Sequence, residues 1–162
     1  MTQIKRVDFA ALRDLAAQAA ATPRRRKNLN LHESPDDPVQ RLLNDFEPGT
    51  YVRPHRHKDK WELFVLVQGA AAVLTFEDDG RVRERVELNA AGGARVVEIP
   101  AATWHTLVSL APGTVLFEVK RGPYDSAAPA EYAPWAPAEG DARAAVLERR
   151  LRDCQPGATP AG

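Results

Sequence analysis

The sequence predicts an all-β fold: one small antiparallel sandwich or barrel with a helix at each end. Three observations lead there. Residues 39 to 120 break into short apolar runs separated by turn residues at near-regular spacing, the pattern of a sandwich or small barrel rather than of a parallel α/β sheet. Asp79-Gly80 lies between two such runs and is a strong hairpin signal. RVRERVELN, residues 81–89, sets Val82, Val86 and Leu88 against Arg83, Arg85 and Glu87. That is the period-two signature of a strand with one buried face, with Glu84 as the exception on it.

The elements follow in order. DFAALRDLAAQAAAT, residues 8–22, predicts a helix capped by Asp8, with Phe9, Leu12, Ala16 and Ala19 on one face and Pro23 as its stop. RRRKNLNLHESPDDP then reads as extended and turn-rich, giving an N-terminal helix and arm over 1–38. The barrel core spans 39–122, with NAAGGAR as a turn and RVVEIP and TVLFEVK as further strands. GPYDSAAPAEYAPWAPAEG carries four prolines, which prevent regular pairing. It predicts an arm over 123–140 that wraps the barrel, anchored by Tyr132 and Trp135. DARAAVLERRLRDC predicts a helix over 141–154, capped by Asp141, with Ala144, Leu147, Leu151 and Cys154 on one stripe. QPGATPAG, 155–162, reads as a flexible tail.

Composition narrows the function classes. At 162 residues and 44% hydrophobic content the chain can bury the core of one ordinary domain. Its 22 basic and 22 acidic residues balance to a formal charge of zero, which argues against a nucleic-acid surface or a polybasic membrane patch. The one cysteine, Cys154, rules out an intrachain disulfide and fits a reducing compartment. The N-terminal residues lack the apolar core of a secretion signal, and no apolar run approaches the ~20 residues of a membrane span. The expectation is a cytoplasmic protein without nucleic-acid or membrane partners.

GTYVRPHRHKDKWELFVLVQG, residues 49–69, uses two of the four histidines. Residues i and i+2 of a strand face the same way, ~6.6 Å apart, so His55 and His57 project from one face. Glu62 would face away on a straight strand. Lys58-Asp59-Lys60 reads as a tight turn, and a reversal there puts Glu62 on the neighbouring antiparallel strand beside the imidazoles. His105, in EIPAATWHTLV, follows a Pro100-led turn into another strand. Two histidines, a carboxylate and a distant third histidine can surround one divalent ion and leave positions open for water or substrate. Taken alone, a His-x-His pair serves equally as surface or hydrogen-bonded strand histidines.

The same stretch resembles the first motif of the cupin superfamily, in which Gly, His-x-His, Glu and Gly recur at fixed intervals; Gly49, His55, His57, Glu62 and Gly69 meet every fixed position. The second cupin motif is met by Pro100 and His105. Ala102 stands in place of its second glycine and Ser109 in place of its asparagine; Gly92 or Gly93 meets its first glycine only approximately. The resemblance implies a small antiparallel cupin β-barrel of the jelly-roll type. It also implies one divalent metal ion (zinc, iron, nickel or manganese) held by His55, His57, Glu62 and His105. A narrower resemblance rests on RRKNLNLHE, DPVQRLLN, PGTYVRPHRHKDKWELF, EIPAATWHTLVSL, PGTVLFEVKRGPY and APWAPAEG. These are similar to cupin-fold metalloproteins of the WbuC type, small bacterial proteins associated with surface polysaccharide (O-antigen) gene clusters. That resemblance implies a setting and supplies no substrate.

Strand parity gives a candidate pocket lining. Tyr51 and Arg53 share a face with His55 and His57, Phe64 and Leu66 with Glu62, and Leu107 and Ser109 with His105. Arg53 suits a carboxylate or phosphate held bidentately, or is a rim arginine. Glu118 and Lys120 alternate with Val115, Phe117 and Val119; they face solvent or form a polar pair lining the barrel, where they are the candidate catalytic groups. Trp61 and Trp104 read as packing residues, His32 as a surface or hydrogen-bonded histidine, and Arg24–Lys27 as a solvated run or a closure over an anionic ligand. Two functions remain open: a metalloenzyme acting on a small anionic, sugar-derived or keto-acid ligand by isomerase, epimerase or iron-dependent dioxygenase chemistry, or a metal-centred sugar-binding module without chemistry. A homodimer is expected, with the N-terminal segment through Leu31 free to add a strand to a neighbour.

Overall fold

The computed structural model describes residues 4–124 and 130–161. Helix α1 (Phe9–Ala21) leads into β1 (Arg26–Asn30) and β2 (Val39–Phe46). Then come β3 (His55–Arg56), β4 (Glu62–Gln68), β5 (Ala70–Phe76), β6 (Val82–Asn89), β7 (Val96–Ile99), β8 (Trp104–Ser109) and β9 (Thr114–Arg121). β10 (Glu131–Tyr132) and α2 (Ala142–Asp153) complete the chain. The strands form two five-stranded sheets, ordered β1-β2-β9-β4-β7 and β10-β3-β8-β5-β6, and their pairings are antiparallel. Together they make a jelly-roll barrel with one helix against each sheet.

Alternation along the strands creates three apolar layers. Phe46, Phe64, Leu66 and Leu116 of the first sheet meet Ala71, Val73, Leu88 and Leu107 of the second inside the barrel. On the outer side of the first sheet, Leu12 and Leu15 of α1 cover Leu43 and Val115. On the outer side of the second sheet, Ala144, Leu147 and Leu151 of α2 cover Leu74, Phe76, Val82, Trp104 and Val108. All six residues of β8 are buried because it is covered on both faces. Each fully buried leucine contributes roughly 1.5–3 kcal/mol of transfer free energy. Both helices start at the expected caps: Asp8 accepts from Ala11 N and Asp141 from Arg143 N. Among the described residues no helix is long and apolar enough to cross a membrane.

Several expectations change. Phe9 is 83% exposed, and Leu15 takes its place on the buried face of α1. On β6 the pairing jumps from Thr75↔Glu84 to Phe76↔Val82, leaving Arg83 as a bulge. The bulge reverses the strand's parity, so Val82 packs under α2 while Leu88 packs inside the barrel. It also turns Arg85 toward α2, where Nη1 donates to Leu151 O at the helix C-terminus. The residues read as a tail are tied to β6 instead: Gly157 N donates to Val82 O and Val82 N to Ala158 O. β1 pairs with the chain's own β2 and forms the outer edge of the first sheet. Trp61, expected to pack, is 41% exposed. Trp135 anchors the proline-rich arm against Phe76, with ring centroids 5.0 Å apart, but Tyr132 is half-exposed. Residues 125–129 of the expected arm lie outside the described residues.

Candidate metal centre

The histidine site is assembled by cross-strand pairing. His55 of β3 is the Cα partner of His105 of β8, which brings their ring centroids to 4.4 Å. Glu62 opens β4, and β3 and β4 belong to different sheets. The chain therefore crosses the barrel at Lys58–Lys60, and Glu62 meets the imidazoles from the opposite wall rather than from the adjacent strand that a tight turn at Lys58–Lys60 would give. His105 Nε2 lies 2.8 Å from Glu62 Oε2, and His57 Nε2 lies 3.3 Å from Glu62 Oε1.

Backbone carbonyls set the ring orientations. His55 Nδ1 lies 2.9 Å from Arg53 O, and His105 Nδ1 lies 2.9 Å from Thr103 O. A carbonyl only accepts, so each Nδ1 carries the proton and each Nε2 keeps its lone pair for a ligand role. One ligand atom each from His55, Glu62 and His105 falls within 4.8 Å of the others. Glu62 Oε2 and His105 Nε2 are buried, and despite their approach neither has a partner in hydrogen-bonding geometry among the described residues. Buried polar atoms are ordinarily satisfied; a divalent cation satisfies both at once, so the donor set fits one. His57 reaches Glu62 but stands outside this tightest group, its ring centroid 6.4 Å from that of His105.

Electrostatics keep the donors in ligand form. Burial, with the neighbouring His105, pushes the His55 imidazole down to about 3, so it is neutral at physiological pH. Burial alone would raise Glu62, but the close approach of the His105 and His57 imidazoles and the charge of Lys120 outweigh it and hold the carboxyl well below its usual range. Ala102, at the motif position usually held by glycine, has φ 61° and donates its N–H to His57 O. Gly69 has φ 79°, and a Cβ there would lie 2.7 Å from Thr114 Cα.

One cavity of about 990 Å³ contains the site. Arg53, Phe64, Leu107, Glu118 and Lys120 all line it, and so does His32; strand parity put Phe64 and Leu107 there, and Glu118 and Lys120 take the lining placement of the two left open. His32 is fixed by Arg41, whose N–H donates to its Nδ1. Tyr51 is not brought there. Residues 49–54 do not form a strand, so parity fails; the Tyr51 ring packs beneath α2 and its hydroxyl donates to Pro137 O, while Val52 turns to the cavity. Arg53 is steadied by a bond from Nε to Ala136 O and by the Tyr132 ring, 4.8 Å below its guanidinium. Lys120 Nζ bridges Glu118 Oε1 and Glu62 Oε1, the latter at 3.3 Å, and Asn44 Nδ2 donates to Glu118 Oε2 at 2.6 Å. Burial lowers Lys120, but the charges of Glu118 and Glu62 outweigh it and raise it, so it stays an ammonium; burial raises Glu118. Asn44 was missed, although VQRLLNDF places Gln40, Leu42, Asn44 and Phe46 on one face by period two.

Among solved structures, the chain resembles a recombinant oxalate oxidase in complex with glycolate, at 18% identity over 72% of this chain and 59% of that chain, TM-score 0.51. It resembles Bacillus subtilis oxalate decarboxylase, a protein with Mn(II) centres, at 18% identity over 66% of this chain and 27% of that one, TM-score 0.50. A cupin superfamily protein from Desulfitobacterium hafniense is 20% identical over 66% of this chain and 86% of that chain, TM-score 0.49. No curated protein matches the sequence. The fold is that of the cupin jelly roll. Residues 7–88 match the family described as "Domain of unknown function (DUF6016)", a span that takes in the first three ligand candidates, and the chain belongs to that family.

Proposed function

We propose that this chain is a metal-dependent enzyme that isomerises or epimerises a small anionic substrate, sugar-derived or a keto acid. The observation that carries the reading is the placing of His55, Glu62 and His105 beside the Lys120–Glu118 pair in one cavity. His57 is assigned as fourth ligand on its approach to Glu62. A bound divalent ion (zinc, iron, nickel or manganese) supplies Lewis acidity toward a substrate carbonyl or carboxylate.

The chain's own residues do the rest. Lys120 Nζ and Glu118 Oε1 form an ion pair beside the ligand set. The Glu118 carboxylate accepts a proton removed next to the substrate carbonyl and returns it at the neighbouring carbon or on the opposite face, with the Lys120 ammonium held beside it. Phe64 and Leu107 form an apolar wall that excludes water, and Arg53 orients an anionic group. The WbuC-type grouping and the surface-polysaccharide setting rest on the sequence resemblance. A cytoplasmic homodimer is part of the same proposal, supported by the single cysteine and by the exposed apolar side chains of Trp61, Val67 and Val96.

Proton exchange tests the reading without knowledge of the product. The metal-loaded chain is incubated in D2O with a panel of sugar acids, sugar phosphates and keto acids. Loss of the proton signal next to a carbonyl, dependent on the ion and absent in Lys120→Met, is the expected result. No exchange with any of the four metals would overturn it.

A further inference from the structure

The histidine end accounts for only part of the cavity. Its volume, about 990 Å³, is at the upper end for small-molecule sites. Among the described residues, five cationic side chains line it against three carboxylates, in a chain whose overall charge is zero. Three of the five come from one short segment: Arg24, Arg26 and Lys27.

Two of these arginines converge on one point. Arg24 Nε and Nη2 donate to Glu139 Oε1 and Oε2 at 2.5 and 2.8 Å, and Arg26 Nη2 donates to Glu139 Oε2 at 3.2 Å. Three N–H donors and two positive charges therefore meet a single carboxylate, leaving one charge uncompensated. Arg26 is held for this role by a second bond, from Nη1 to Tyr51 O. Arg25, between them, sits at φ 53° with its carbonyl accepting from Glu47 N, a backbone conformation uncommon for a residue with a side chain. Glu139 belongs to the proline-rich segment that also contributes Tyr124, Ala130 and Tyr132 to the cavity wall.

We propose that Arg24 and Arg26 form a phosphate subsite at the cavity rim, and that Glu139 is the carboxylate occupying it in the free chain. A phosphate monoester carries about −1.5 to −2 charge at neutral pH and three acceptor oxygens. It matches the three converging donors and both arginine charges, which one carboxylate does not. The ligand class is then a phosphorylated small polar molecule, its phosphate at the arginine pair and its reacting end toward His55, Glu62 and His105. This deepens the proposed function, from which it takes only the premise that the cavity is the ligand site. Glu139 is tethered and competes with the phosphate, so the affinity of the free chain is reduced by the fraction of time the fork is filled.

Calorimetric titration of the full chain with inorganic phosphate and with glucose 1-phosphate, in chelator-treated buffer without metal, tests the subsite separately from the metal reading. Glu139→Gln should tighten glucose 1-phosphate binding about tenfold, and Arg24→Ala should weaken it about tenfold or more, the scale of one charged hydrogen bond. Arg24→Lys should recover part of the loss, and unphosphorylated glucose should not respond to either change. Arg24 is more than half exposed, so its replacement leaves the fold intact. Unchanged or weaker binding by Glu139→Gln, or wild-type affinity in Arg24→Ala, would overturn the proposal.

Discussion

Asp45 offers a stability test that is independent of the metal. It lies on β2 with Lys27 and Val115 as Cα partners, and its face is the one that carries Leu43 beneath α1. Its side chain is fully buried, and among the described residues neither carboxylate oxygen has a hydrogen-bond partner. Burial, with the like charge of Glu47, raises its pKa from 3.8 to about 7. The folded state therefore keeps a proton that the unfolded state releases across that window. Stability falls as pH rises from about 4 to 7, and the full loss is present above 7. Each pKa unit corresponds to 1.36 kcal/mol, so three units set an upper bound of about 4 kcal/mol. Asp45→Asn removes the titration and keeps the shape. The difference in melting temperature between Asp45→Asn and wild type should rise by several degrees between pH 4.5 and 8.5, at ~2–4 °C per kcal/mol for a chain this size. The asparagine amide is itself buried without partners, so the slope, not the absolute sign, carries the test. A difference constant across that range would refute the reasoning.

Two further predictions concern the cavity wall and its turn. Lys120→Met leaves Glu62 and Glu118 facing each other without the ammonium between them and should cost about 3–5 kcal/mol in denaturant unfolding; adding Glu118→Gln should return a large part of it, whereas equal stability of single and double variants would contradict the bridge. Ala102→Gly relieves a left-handed conformation at φ 61° and should stabilise the fold by roughly 0.5–1 kcal/mol, read as a rise in melting temperature.

The barrel was legible because its signals are local. The Asp79-Gly80 turn, the alternation around it, and the caps Asp8 and Asp141 each follow from neighbours in sequence. The ligand set was legible through the resemblance of residues 49–69 to the first cupin motif; spacing alone put only His55 and His57 on one face, and the pairing of His55 with His105 joins residues far apart in sequence. What was not legible depends on contacts remote in sequence. The bulge at Arg83 moves Val82 to the far side of the sheet, and nothing in the run 81–89 announces it. Tyr51 was misplaced because the six residues ahead of His55 do not form a strand, so alternation had no meaning there. Arg24 and Glu139 are 115 residues apart, and only the wrapping segment brings them together. Glu118 and Lys120 could be read either way until β4 and β9 were seen to pair at Glu62↔Lys120.

The central claim is that His55, Glu62 and His105 hold one divalent ion. Metal content by mass spectrometry, on protein purified without an affinity tag and on its Glu62→Gln variant, tests it most directly. About one tightly bound ion per wild-type chain, lost in the variant while its circular dichroism stays that of the folded barrel, is the predicted result. A wild-type chain that retains no ion after incubation with zinc, iron, nickel and manganese in turn, or a variant that binds as well as wild type, would contradict it.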